Sequence, residues 1–194
     1  MSQKILVLMP HPDDAEFSCG GTIAKFIEEG KDVHYIVFSN CSKSLPDHFP
    51  ENRLFDELDQ AASSLGVHLK NITKYKFPVR EFPHFRQEIL EKLISFKKEF
   101  TPDLVLLPNK NDIHQDHNTI FNEGIRAFKG SSILGYELPW NNVIKSETNY
   151  FIRISTNQLN KKLKAISEYK SQSFREYMDI DLFKNLAKLR GTQV

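Results

Sequence analysis

Two short stretches hold residue types that could bind a metal or move a proton. They are His11-Pro12-Asp13-Asp14 and His114-Gln115-Asp116-His117. The chain has seven histidines, and three of them fall in these stretches. Imidazole and carboxylate together suit zinc, or another borderline divalent ion such as ferrous iron. Two adjacent aspartates could divide ligation from proton transfer, because successive side chains leaving a strand point in different directions. A lone His-Pro-Asp-Asp is equally well a turn with a capping aspartate. The second cluster changes that balance, provided the fold brings both stretches into one crevice.

The hydrophobic pattern supplies such a fold. Short apolar runs alternate with segments of helical period. The runs predict strands over 5–9, 33–38, 72–77, 104–108, 133–136 and 150–154, the third of them edge-like because lysines alternate in it. Helical period opens at Gly20-Gly21, runs through Ile23, Ala24, Phe26 and Ile27, and stops with Gly30 as C-cap. A helix over 53–65 ends at Gly66, and another is marked by Phe85, Ile89, Leu93, Phe96 and Phe100 until Thr101-Pro102 breaks it. Further helices pass through Ile120, Ile125, Ala127 and Phe128, and cover 158–169 and 180–189. Alternation of this kind implies an α/β fold: a Rossmann-like, mainly parallel sheet flanked by helices. In such sheets ligands sit beyond the carboxyl ends of the central strands, where both His/Asp stretches fall. The metal site is therefore expected there.

Composition narrows the function classes. The 194 residues are 40% hydrophobic and 26% charged, which suits one globular domain over 1–194. Lys and Arg number 26 against 25 Asp and Glu, a net charge of +1 that argues against nucleic acid as partner. No apolar run approaches the roughly 20 residues that span a bilayer, so membrane insertion is not expected. The N-terminal apolar run is too short for a secretory signal. Cys19 and Cys41 form no disulfide framework, which points to a reducing, cytoplasmic setting. Both read as small core residues. Gly20-Gly21 reads as close backbone packing rather than a phosphate cradle.

The stretch from Met9 to Glu16, with Gly20-Gly21-Thr22-Ile23-Ala24, resembles the signature of the PIG-L/LmbE-like metal-dependent N-deacetylases. Pro102-Asp103-Leu104-Val105, followed by Asp112-Ile113-His114-Gln115-Asp116-His117, resembles that family's second motif, and Tyr169-Lys170-Ser171-Gln172 a third. Its members hydrolyse the N-acetyl group of amino sugars in conjugates with a divalent metal, usually zinc. The resemblance implies His11, Asp14 and His117 as ligands of one divalent ion, zinc ahead of ferrous iron. It implies Asp13 as general base and His114 as an electrophilic or general-acid histidine, with Asp116 as the carboxylate that orients or charges His114. Which of Asp13 and His114 protonates the leaving amine stays open. The implied partner is a small amino-sugar conjugate, and the oligomeric state stays open.

Arg53 lies near the family's substrate-binding arginine, but its spacing to Glu57 is a residue longer than expected. Trp140 could be a sugar platform or could pack in the core. Other departures are Ala15 directly after the aspartate pair, Gln115 where proline is frequent, and Ser39-Asn40-Cys41 in place of a Thr-x-Gly turn. Two rival classes remain: a phosphoesterase-like hydrolase, which ordinarily needs more ligands than these clusters offer, and a non-catalytic sugar- or nucleotide-binding module, which needs neither base nor acid.

Overall fold

The computed structural model describes residues 2–143 and 148–194. Its centre is a five-stranded parallel sheet in the order β3-β2-β1-β4-β5. The strands are β1 (Lys4–Met9), β2 (Asp32–Val37), β3 (Ile72–Lys74), β4 (Leu104–Pro108) and β5 (Ser132–Tyr136). Helices α1 (Asp14–Glu28), α2 (Arg53–Leu65), α3 (Arg86–Glu99), α4 (Gln115–Phe128), α5 (Thr156–Ser167) and α6 (Ile180–Gly191) cover both faces.

The continuous apolar runs follow from that sandwiching, because alternate side chains enter different cores. Ile5, Val7 and Met9 of β1 join α1, α2, α5 and α6 on one side. Leu6 and Leu8 join α3 and α4 on the other. β1 pairs with β2 on one flank and β4 on the other, so the strand order reverses between β1 and β4. The chain leaves these two strands in opposite directions around the sheet and opens a crevice at their carboxyl ends.

Three expectations need correction. Helix α1 begins at Asp14, six residues before Gly20-Gly21, and bends at Cys19 (φ −116°, ψ 19°). Lys162 Nζ donates to Ser18 O at 2.9 Å beside this bend. The glycines are not a start signal but a close approach: a Cβ on Gly21 would lie 2.6 Å from Ile154 Cδ1. The second correction concerns β3, the edge strand, which has three residues rather than six. Tyr75 N and Phe77 N still donate to Val37 O and Phe38 O, so the chain follows β2 as far as Phe77. Finally, residues 150–154 form no strand. Ile152 and Ile154 pack against the helical side instead, and Lys25 of α1 donates to Arg153 O.

Candidate metal centre and active site

The loop after β1 carries His11, Asp13 and Asp14. Asp13 has φ 91° and ψ −32°, a conformation that costs a non-glycine residue energy and collects at functional sites. The other described non-glycine residues with positive φ are Cys41 and Arg80. Both border the same crevice: the Cys41 thiol feels the charges of Asp13, Asp14 and Asp116, and Arg80 N–H donates to Asp116. The loop after β4 carries Asp112 and His114, the N-cap of α4, and the first turn of α4 carries Asp116 and His117.

Here one ring nitrogen each of His11 and His117 meets the Asp14 carboxylate, which turns a different oxygen to each ring. His11 Nδ1 lies 3.1 Å from His117 Nε2 and 3.6 Å from Asp14 Oδ2. His117 Nε2 lies 3.4 Å from Asp14 Oδ1. Tetrahedral zinc with bonds near 2.0–2.1 Å sets its ligand atoms about 3.3 Å apart, so the spacing fits. The protons fit as well. His11 Nε2–H donates to Asp116 Oδ2 at 2.9 Å and His117 Nδ1–H to Asp112 Oδ2 at 2.8 Å. Each ring therefore turns a lone pair toward the other, an arrangement that a cation between them stabilises. Burial lowers the pKa of both rings, which keeps them neutral and ready to ligate. His114 stands close by, the three histidines offering ligand atoms within 4.8 Å of one another.

The carboxyls divide into two groups. Burial, then Glu16, raises Asp13 well above the usual range, with Arg175 opposing. Burial, then Asp13, does the same to Asp14. For Asp112 and Asp116 burial is the largest effect and acts upward, but the hydrogen bonds and charges of His117 and His11, joined by backbone N–H donors, together outweigh it and hold both low.

The structure changes the expected work of Asp116. Its carboxylate accepts from His11, from Arg80 N at 2.6 Å and from Phe82 N at 3.2 Å. His114 meets Asp116 only through the backbone, where Asp116 N–H donates to His114 Nδ1 at 3.2 Å. Asp116 thus orients His11, not His114. Burial, then His11, pushes His114 down to about 4, so at neutral pH it is an uncharged imidazole. With Nδ1 accepting, its proton sits on Nε2.

Arg53, on the first turn of α2, donates through Nε to Glu57 at 2.9 Å and lies over the Phe49 ring. Glu57 is also held by Ser171 N and Ser171 Oγ, and Glu16 by Tyr169 OH at 2.9 Å. The third motif therefore ties down two buried carboxyls whose charges reach Asp13. Trp140 is half-buried in an aromatic cluster. One face stacks on Tyr177 at 4.8 Å and 8°, and its edges meet Phe17 and Phe183. Asp112 has no role in the sequence reading; its place five residues before His117 is the signal that points to it.

A family model described as PIG-L, GlcNAc-PI de-N-acetylase, matches residues 6–128 and so spans both loops. The chain belongs to that family. Diacetylchitobiose deacetylase of Thermococcus kodakarensis is 29% identical to this PIG-L chain over 191 residues, 88% of the chain and 70% of the relative. The solved N,N'-diacetylchitobiose deacetylase of Pyrococcus horikoshii, held with an inhibitor, matches with TM-score 0.82 at 23% identity. It covers 99% of this chain and 79% of its own. GalB, the 4-carboxy-2-hydroxymuconate hydratase of Pseudomonas putida KT2440, matches with TM-score 0.74 at 22% identity, over 98% of this chain and 87% of its own. At such identities the likeness is one of fold, and the fold also carries a hydratase.

Proposed function

We propose that this PIG-L chain is a metal-dependent N-deacetylase that removes the acetyl group from a GlcNAc-type conjugate, releasing acetate and the free amine. One observation carries the reading: two unprotonated imidazole nitrogens converge on each other and on the two oxygens of the Asp14 carboxylate at 3.1–3.6 Å, with Asp13 and His114 beside them. His11, Asp14 and His117 would hold the ion, zinc ahead of ferrous iron on donor type. When bound, the ion supplies positive charge to polarise the amide carbonyl and to acidify water.

The chain's own groups do the rest. The strained Asp13 carboxylate takes a proton from water as its oxygen attacks the amide carbon. His114 Nε2–H donates to the carbonyl oxygen as that oxygen gains charge, a task a neutral imidazole can perform. Asp13, whose surroundings favour its protonated form, then passes the proton to the departing nitrogen as the C–N bond breaks. Arg53 retains guanidinium donors beyond Glu57 and would contact the sugar. No described helix is long and apolar enough to cross a membrane, and we place the enzyme in the cytoplasm.

The test is metal content and acetate release together. Chelated protein, reloaded with zinc or ferrous iron, is assayed on N-acetylglucosamine, N,N'-diacetylchitobiose and charged GlcNAc conjugates. About one ion per chain and acetate release from at least one member are expected. A chain that holds one ion and releases no acetate from any of them overturns the reading.

A further inference from the structure

Helix α1 is two helical segments joined at Cys19, whose φ −116° and ψ 19° lie far from the helical values near −63° and −42°. The second segment is seated in the core: Ile23 and Ala24 are fully buried, and Ile154 packs on Gly21. The first, residues 14–18, is held from the side by Phe17, whose ring stacks on Phe183 at 5.3 Å. Its internal bonds run from Phe17 N to Asp13 O at 2.9 Å and from Ser18 Oγ to Asp14 O at 2.6 Å. A helical segment that stops leaves carbonyls in need of donors. At this end Ser18 O accepts from Lys162 Nζ of α5 at 2.9 Å.

Lys162 is a costly donor to bury. The residue is 8% exposed, and among the described residues no carboxylate lies within ion-pair distance of it. Burial lowers its pKa to about 8. Its ammonium has instead the Ser18 carbonyl, at the negative end of a helical segment, and the Phe183 ring at 5.6 Å. Gly20 leaves the lysine stem its room, since a Cβ there would lie 3.2 Å from Lys162 Cγ. Methionine would fill the same slot without desolvating a charge. A buried charge that packing alone does not require points to a task at the far end of the segment.

That end is the metal site. Asp14 Oδ2 accepts from His11 N at 2.8 Å, and the carboxylate faces both imidazoles. Five residues of helix span roughly 7 Å, so a rotation of about 10° at Cys19 carries Asp14 by about 1 Å. Metal–ligand distances tolerate only about 0.2 Å.

We propose that Lys162 is a positioning residue: its ammonium caps the first segment of α1 at Ser18 O, holds the bend at Cys19, and so aims the Asp14 carboxylate at His11 and His117. The proposal rests on the metal-site reading above, because it assigns what holds one ligand of that same site.

Lys162→Met tests it, read in two ways. In chelated protein, NMR follows the backbone carbon shifts of Cys19 and the amide proton of His11, which reports the bond to Asp14. Competition with a chromophoric chelator gives the zinc affinity. The Cys19 shifts should move to the helical range and the His11 amide proton upfield. Zinc affinity should fall about 10-fold, the scale of a lost outer support, while the chelated urea melt stays close to the parent's. A lysine that only fills the core would lower the melt and leave both NMR signals and the affinity in place. Unmoved signals at Cys19 and His11 overturn the proposal, and so does zinc affinity equal to the parent's. If the parent itself binds no zinc, the metal reading fails and the NMR signals decide alone. Joint movement of Cys19 and His11 then supports the link from Lys162 to Asp14, and an unmoved His11 overturns it. Should Lys162→Met not fold, Lys162→Gln takes its place, since its amide keeps a polar end in the slot but stops one atom short of Ser18 O. The same readings decide.

Discussion

The loops after β1 and β4 each aim one histidine at the same point, yet they hold their charges in opposite ways. On the β4 side, Asp112 of the loop and Asp116 of the first turn of α4 are stabilised as carboxylates by the imidazoles they orient. On the β1 side, Asp13, Asp14 and Glu16 have carboxyls raised by burial, and Asp13 adds a strained backbone. Support is just as uneven. His117 has its partner Asp112 five residues away, whereas His11 depends on Asp116, 105 residues distant, and Asp116 depends on N–H groups of the chain after β3. The β4 loop is nearly self-sufficient. The β1 loop is kept in an unfavourable state by its neighbours, which suits the cation binding and proton transfer proposed for it.

The largest effect should come from the strained residue. Asp13→Asn keeps the side-chain shape, and its kcat should fall on the order of 100-fold or more, the scale of a lost general base. Metal content should stay at the parent level. Loss of the ion with the activity would make Asp13 a ligand and cancel the division of labour between Asp13 and Asp14.

Next come the two orienting carboxylates. Asp112→Ala and Asp116→Ala should each weaken metal affinity about 10- to 100-fold, as loss of a ligand's hydrogen-bond partner does. The pair should part in chelated protein, where Asp116→Ala strands the buried Phe82 N–H in addition to His11 and should be the more destabilising. Competition with a chromophoric chelator and urea melts measure both quantities. Equal melts would mean that the β1 loop does not lean on the β3 connection.

How much of this was legible follows the same division. The wholly apolar runs of β1 and β4 revealed a doubly covered sheet, and the two His/Asp stretches fell at its carboxyl ends. The start of α1 was hidden because Asp14 opens the helix while also serving the site, and the Gly20-Gly21 pair mimicked a boundary. Ile152 and Ile154 alternate like a strand, but Ile154 packs on Gly21 of helix α1 and Ile152 on the same core rather than on a sheet neighbour. The partner of Asp116 could not be read from spacing, since His114 is two residues away and His11 more than a hundred. Periodicity reports which face is buried, not which distant polar atoms meet.

The smallest effect is one of stability alone, and it follows from Glu16. The residue is fully buried; Oε2 accepts from Tyr169 OH, while Oε1 has no partner. Burial raises its pKa from 4.5 to about 7. Below pH 4.5 the group is protonated in folded and unfolded chains alike and contributes no pH dependence. Between 4.5 and about 7 the unfolded chain releases the proton while the folded chain retains it, so stability falls as pH rises. Above that window both forms are charged, and the accumulated cost levels off at about 3 kcal/mol. Glu16→Gln removes the titration, and its amide can face Tyr35 OH, another buried group without a partner. Chelated Glu16→Gln protein should therefore match the parent at pH 4.5 and melt several degrees higher at pH 8. Asp112 and Asp116 act with the opposite sign: their depressed pKa values give stability that is present above about pH 4 and lost as pH falls. The β1 side should thus loosen toward alkaline pH and the β4 side toward acid. Parallel melting curves for parent and variant from pH 4.5 to 8 would show that Glu16 stays ionised in the folded chain, and the electrostatic contrast between the two loops would then rest on the Asp13–Asp14 pair alone.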